Sequence, residues 1–96
     1  LITALTGTER AEALADLPAW TYDSERQALH RQFTLNDFSQ AFGLVMRIAF
    51  EAEKTDHHPE WSNIYNRLYI WLTTHDAGGV SARDVDMARA INNLAE

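Results

Sequence analysis

The sequence predicts an α+β domain of two layers, a four-stranded antiparallel sheet with three helices on one face, in the order α-β-β-α-β-β-α. Three observations predict it. Residues 37 to 54 repeat their apolar side chains at helical spacing. Two other stretches, 20 to 35 and 62 to 74, alternate apolar and polar residues around short polar turns. Each end of the chain holds a shorter helical pattern with its own capping signal. With 96 residues the chain is expected to form a single domain, 1-96, around one modest core.

Thr8 is the expected N-cap of a first helix of about two turns, with Ala11, Leu14 and Leu17 inward and Pro18 as its stop. The period then changes. Trp20 to Tyr22, the turn Asp23 to Arg26, and Ala28 to Leu35 read as a hairpin with Leu29, Phe33 and Leu35 on one face. His30 falls on the opposite face and is expected to be a surface residue without a role. Asn36 is placed to cap the long helix, whose stripe is Phe38, Phe42, Val45 and Ala49. Ala41, Leu44 and Ile48 widen that stripe on one side, and Met46 and Phe50 on the other, to an apolar arc of roughly 240°. One sheet cannot cover so wide an arc, so a second surface, supplied by another subunit, is expected, the alternative being the other helices of the same chain. Ser62 to Tyr65 and Leu68 to Thr74 form the second hairpin around Asn66-Arg67, with Leu68, Ile70 and Leu72 inward. Asp76 to Gly79 make a flexible connection. Ser81 then caps the last helix with Asp84 in the capping-box position, and Val85, Ala88, Ile91 and Ala95 are its packing stripe.

Composition removes several functions. A hydrophobic content of 46% with three tryptophans fits a globular chain. No apolar run approaches the roughly 20 residues of a membrane-spanning helix, and no signal-peptide pattern opens the sequence, so a cytoplasmic protein without a membrane partner is expected. The net charge of -6 argues against nucleic acid, because phosphate binding needs clustered Lys and Arg. Without cysteine there is neither a disulfide nor a thiol nucleophile.

The density of proton-transfer groups peaks between Glu53 and Trp61, E-K-T-D-H-H-P-E-W. Pro59 pushes His58 into an extended conformation, so His57 and His58 sit just past a helix end. The partial negative charge there favours imidazolium and disfavours Glu53 and Asp56 as anions, so carboxylates at this place hint at chemistry. Metal binding is a rival, but adjacent residues in extended chain point to opposite sides and no H-x-H or H-x-x-x-H pair starts a site; no metal and no cofactor are expected. No serine stands in a nucleophile-elbow context. General acid-base catalysis remains, for which imidazoles are suited. In the two-layer arrangement the ends of the long helix and of the fourth strand meet, which brings His75 toward His57 and His58.

Glu53, Lys54 and Asp56 to Trp61, followed by Thr74-His75 and by Ser81-x-Arg83-Asp84, resemble the signature of the pterin-4a-carbinolamine dehydratases. The resemblance runs over nearly the whole chain, including Trp20 and the stretch Phe38 to Arg47. It implies loss of water from a 4a-hydroxytetrahydropterin to give quinonoid dihydropterin in tetrahydrobiopterin recycling, with His57, His58 and His75 as catalytic residues. On this reading His57 and His75 are the acid-base pair and His58 mainly holds the substrate. Asp56 and Glu53 orient imidazoles, and the backbone from Thr73 through Thr74 to Asp76 reads the polar edge of the pterin. Trp20 or Trp61 walls the flat ring, the alternative for both being a place in the core, and Arg83 matches the family as a further binding position, the alternative being a surface residue in the first turn of the last helix. The resemblance also implies a homodimer or homotetramer. Animal relatives act in addition as dimerisation cofactors of a homeodomain transcription factor, so a protein-binding role is the competing class. Ala77 stands where some animal members carry cysteine, so properties tied to that thiol are absent.

Overall fold

The computed structural model describes residues 2–96. Its elements are α1 (Gly7–Ala15), β1 (Thr21–Asp23), β2 (Ala28–Thr34), α2 (Phe38–Thr55), β3 (Glu60–Ile64), β4 (Arg67–Leu72), a 3-10 turn at His75–Ala77, and α3 (Ala82–Leu94). All strand pairs are antiparallel, in the order β1-β2-β4-β3, so β2 and β4 form the centre. Leu29 and Phe33 of β2 and Leu68, Ile70 and Leu72 of β4 turn to one face. There they pack with Leu44, Val45, Ile48 and Ala52 of α2 and Met87, Ala88 and Ile91 of α3. The expected class and element order stand.

The differences are local and have physical reasons. α1 is capped by Thr6 rather than Thr8, because Glu9 sits three residues on and completes a reciprocal capping box. It buries no residue, and Leu17 enters the core from beyond its end. Asp37, not Asn36, caps α2 by accepting the Gln40 amide at 2.9 Å, while the Asn36 amide donates to the Gln40 side chain. The second hairpin turns through Tyr65 and Asn66, one position earlier than expected, with Ile64 paired to Arg67 and Tyr65 in the left-handed region at φ 51°. The connection after β4 is the ordered 3-10 turn, closed by Gly78 at φ 76°.

The largest difference concerns which face of α2 is buried. Ala41, Leu44, Val45, Ile48 and Ala52 face the core, a stripe rotated by roughly 70° from the one centred on the phenylalanines. The two alanines let the helix approach its neighbours closely, whereas larger rings at those positions would hold it off. Phe38, Phe42, Met46 and Phe50 are left as an exposed apolar row, and the first two rings stack on each other.

Candidate active site

Three chain ends converge at one end of the sheet. α2 stops at Asp56, which takes the left-handed conformation (φ 52°, ψ 43°) that aspartate tolerates better than most residues. The His57 amide still bonds back to the Ala52 carbonyl at 3.1 Å, so the turn is tied to the helix it leaves. β4 ends two residues before Thr74, which bridges to Gly79 and so fixes the 3-10 turn that presents His75. α3 starts alongside, with Ser81 as its cap.

Between them lies a cleft of about 230 Å³. Asp56, His57 and His58 line it from the end of α2, and Thr73, Thr74, His75 and Asp76 from the end of β4. Arg83 closes it from α3. The structure thus brings all three candidate histidines and five of the seven other candidate residues to one place. Glu53 stands just outside and reaches His58, Oε2 lying 2.5 Å from Nε2. Trp20 is elsewhere. It is buried in the core with its indole N–H donating to the Asn92 side chain at 2.8 Å, because an indole buried that deeply needs an acceptor, and it does not line the cleft. Trp61 lies on the edge strand β3 and does not line it either.

Asp84, which the sequence offers as a capping residue and as part of the family resemblance but not as a site residue, is the group behind His57. Its side chain is fully buried. Oδ1 lies 2.6 Å from His57 Nε2, while Oδ2 accepts from the Thr74 hydroxyl at 2.8 Å and the Ser81 amide at 2.9 Å. With the Thr74 proton spent on Asp84, the 2.6 Å contact between Thr74 Oγ1 and Ser81 Oγ is donated by Ser81. Every polar atom of this node is therefore partnered, as a buried carboxylate requires. The arrangement fixes the proton of His57 on Nε2 and leaves Nδ1 for exchange with a ligand. An S-x-x-D capping box is visible in the sequence, but nothing in it says that the aspartate would be buried or meet a histidine 27 residues away.

Arg83 serves the same loop from outside. Its Nη2 donates to the Asp56 carbonyl at 2.7 Å and approaches that of Thr55 at 3.4 Å, neutralising carbonyls that the end of α2 leaves open. Asp56 thus contributes its backbone, and no bond from its carboxylate to an imidazole is present. Among the described residues, no group of three or more His, Asp or Glu side chains is arranged to hold a metal ion. Nor is any helix among them long and apolar enough to cross a membrane.

Comparison with known proteins agrees with this geometry in one direction. A family model described as "Pterin 4 alpha carbinolamine dehydratase" matches residues 3–94. A Rhizorhabdus wittichii protein named "Putative pterin-4-alpha-carbinolamine dehydratase" is 61% identical over 95 residues, covering 99% of this chain and 98% of that one. A Rhodopseudomonas palustris protein of the same name is 50% identical, covering 99% and 94%. A crystal structure titled "transcriptional coactivator/pterin dehydratase from Brucella Melitensis" superposes with a TM-score of 0.94 at 46% identity, covering 98% of this chain and 100% of that one.

Proposed function

This chain belongs to the pterin 4 alpha carbinolamine dehydratase family, and on that premise we propose that it dehydrates a 4a-hydroxytetrahydropterin to the quinonoid dihydropterin by histidine acid-base catalysis. The observation that carries the proposal is the meeting of His57, His58 and His75, from two distant segments, around one cleft. In the reaction the C4a–O bond breaks, the leaving oxygen takes up a proton and departs as water, and N5 loses a proton as the C4a–N5 double bond forms. His57, through Nδ1, and His75 are the acid-base pair, one imidazole donating while the other accepts. His58, steadied by Glu53, holds the substrate, and the backbone from Thr73 to Asp76 offers donors and acceptors to the pterin's polar edge. The place of the reaction is tetrahydrobiopterin recycling, in the cytoplasm. Stopped-flow dehydration of a 4a-carbinolamine tests this: His57→Ala and His75→Ala each lower the rate about 100-fold or more. Full rates in both variants overturn it.

The exposed row Phe38, Phe42, Met46 and Phe50 supports assembly into a homodimer or homotetramer through α2. A single-chain mass by light scattering at micromolar concentration contradicts this. The same row favours a second reading, protein binding, which the words "transcriptional coactivator" attach to the Brucella melitensis structure. Three histidines around a cleft serve no purpose in a pure binding module, so the enzyme ranks first.

A further inference from the structure

Beside the cleft of the three histidines lies a second hollow, of about 240 Å³, between α2 and α3. His57 and Arg83 border both, so they form the partition between them. The other walls of this hollow have no part in the proposed dehydration. Met87, only 3% exposed, and Ala90 give it an apolar side on α3. Glu51 and Thr55 line it from α2, and Asp86 lines it from α3. Among the described residues, neither Glu51 nor Asp86 has a basic side chain within ion-pairing distance. Arg83 spends Nη2 on the Thr55 and Asp56 carbonyls and keeps the donors of Nε and Nη1.

We propose that this hollow is a second binding site, for a free α-amino acid with an apolar side chain of about the size of leucine. Such a zwitterion has three parts, and each matches one kind of wall. Its ammonium carries three N–H donors, and three acceptors line the hollow: Glu51, Asp86 and the Thr55 hydroxyl, whose own proton goes to the Glu51 carbonyl at 3.0 Å. Its carboxylate meets the Arg83 guanidinium, whose planar fork suits a carboxylate. Its side chain covers Met87 and Ala90. Water serves both carboxylates in the free protein, Glu51 being half-buried and Asp86 exposed, so their charges select the ligand more than they drive its binding. The drive is the release of water from the apolar wall. A simple carboxylic acid brings an anion up to two carboxylates, and a simple amine leaves Arg83 unused. The volume lies below the roughly 300–1,000 Å³ of pockets for drug-sized ligands, which sets the small size of the occupant. A neutral flat bicycle has no ammonium to offer here, so the site differs in chemistry from the cleft and stands whether or not the cleft dehydrates a pterin.

The test titrates isotope-labelled protein with L-leucine and with its two halves, 3-methylbutylamine and 4-methylpentanoate, while NMR follows the Met87 methyl group and the His75 ring. L-leucine is expected to shift Met87 with a millimolar Kd and to leave His75 unchanged, and each half to bind about tenfold more weakly or worse. The double variant Glu51→Gln, Asp86→Asn is expected to weaken leucine binding by a similar factor, with unfolding in urea showing that it folds like the wild type. Equal binding of the three compounds overturns the site, as does leucine binding that the double variant leaves intact. No shift at Met87 in tens of millimolar leucine overturns it too, and a shift at His75 instead would put the amino acid in the histidine cleft and refute the second site.

Discussion

His57 and His58 are neighbours in sequence, and each meets a carboxylate at nearly the same distance, 2.6 Å to Asp84 and 2.5 Å to Glu53. Their surroundings differ. The side chains of the first pair are 11% and 0% exposed, those of the second 55% and 76%. In the exposed pair water competes for both groups, salt screens them, and two mobile side chains must be ordered, so the bond contributes little. In the buried pair Asp84 is closed off from solvent, so removing His57 leaves one of its carboxylate oxygens without a partner. Equal geometry therefore carries unequal consequence: the His57 ring is held by a buried partner and the His58 ring by an exposed one, which is the difference that the proposed division of labour between them requires.

The largest effect that breaks this comparison is at Asp84. Asp84→Ala removes the acceptor of His57, Thr74 and the Ser81 amide together, and is expected to cost about 3–5 kcal/mol in urea unfolding. Dehydration by the fraction that remains folded falls about 100-fold or more, because His57 loses its fixed tautomer. A loss under about 1 kcal/mol would show the buried pair to be no different from an exposed one.

Glu53→Gln sharpens the other side. Its expected cost in the same unfolding experiment is at most about 1 kcal/mol, shrinking further in added salt. Its expected kinetic effect is a rise in KM of a few fold with kcat nearly unchanged, as the proposed substrate-holding role of His58 requires. A collapse of kcat in Glu53→Gln contradicts the division.

The smallest effect is at Asp23, a third carboxylate, in the first hairpin. The Arg26 amide, the Trp71 indole and the Glu25 amide all donate to it and, against some desolvation, hold its carboxyl below the usual aspartate range. A depressed value means stability that is present above the unfolded pKa, near 3.9, and lost as pH falls through the lower folded value. Below about pH 4, the amide protons of Glu25 and Arg26 are therefore expected to lose protection against exchange, and Asp23→Asn to remove that pH dependence. Unchanged protection between pH 5 and pH 3 contradicts it.

Periodicity made much of this legible in advance. The alternation of Leu68, Ile70 and Leu72 gave the inner face of β4, and the tandem histidines before Pro59 marked one wall of the cleft. What it did not reveal depends on closeness in space. Asp84 looked like a helix cap because the capping pattern is local, while its burial depends on Thr74 and His57 arriving from elsewhere. Choosing the aromatic rings as the buried stripe of α2 weighed side-chain size, whereas the packing is decided by where Ala41 and Ala52 allow close approach. Trp20 carried the resemblance faithfully, yet its indole is spent on Asn92 in the core.

Soaking a stable dihydropterin analogue into crystals of the protein tests the central claim most directly. The account predicts the ring in the cleft of the three histidines, with His57 Nδ1 and His75 within hydrogen-bonding reach of its C4a–N5 edge. A ring seated between α2 and α3, out of reach of His75, would contradict it.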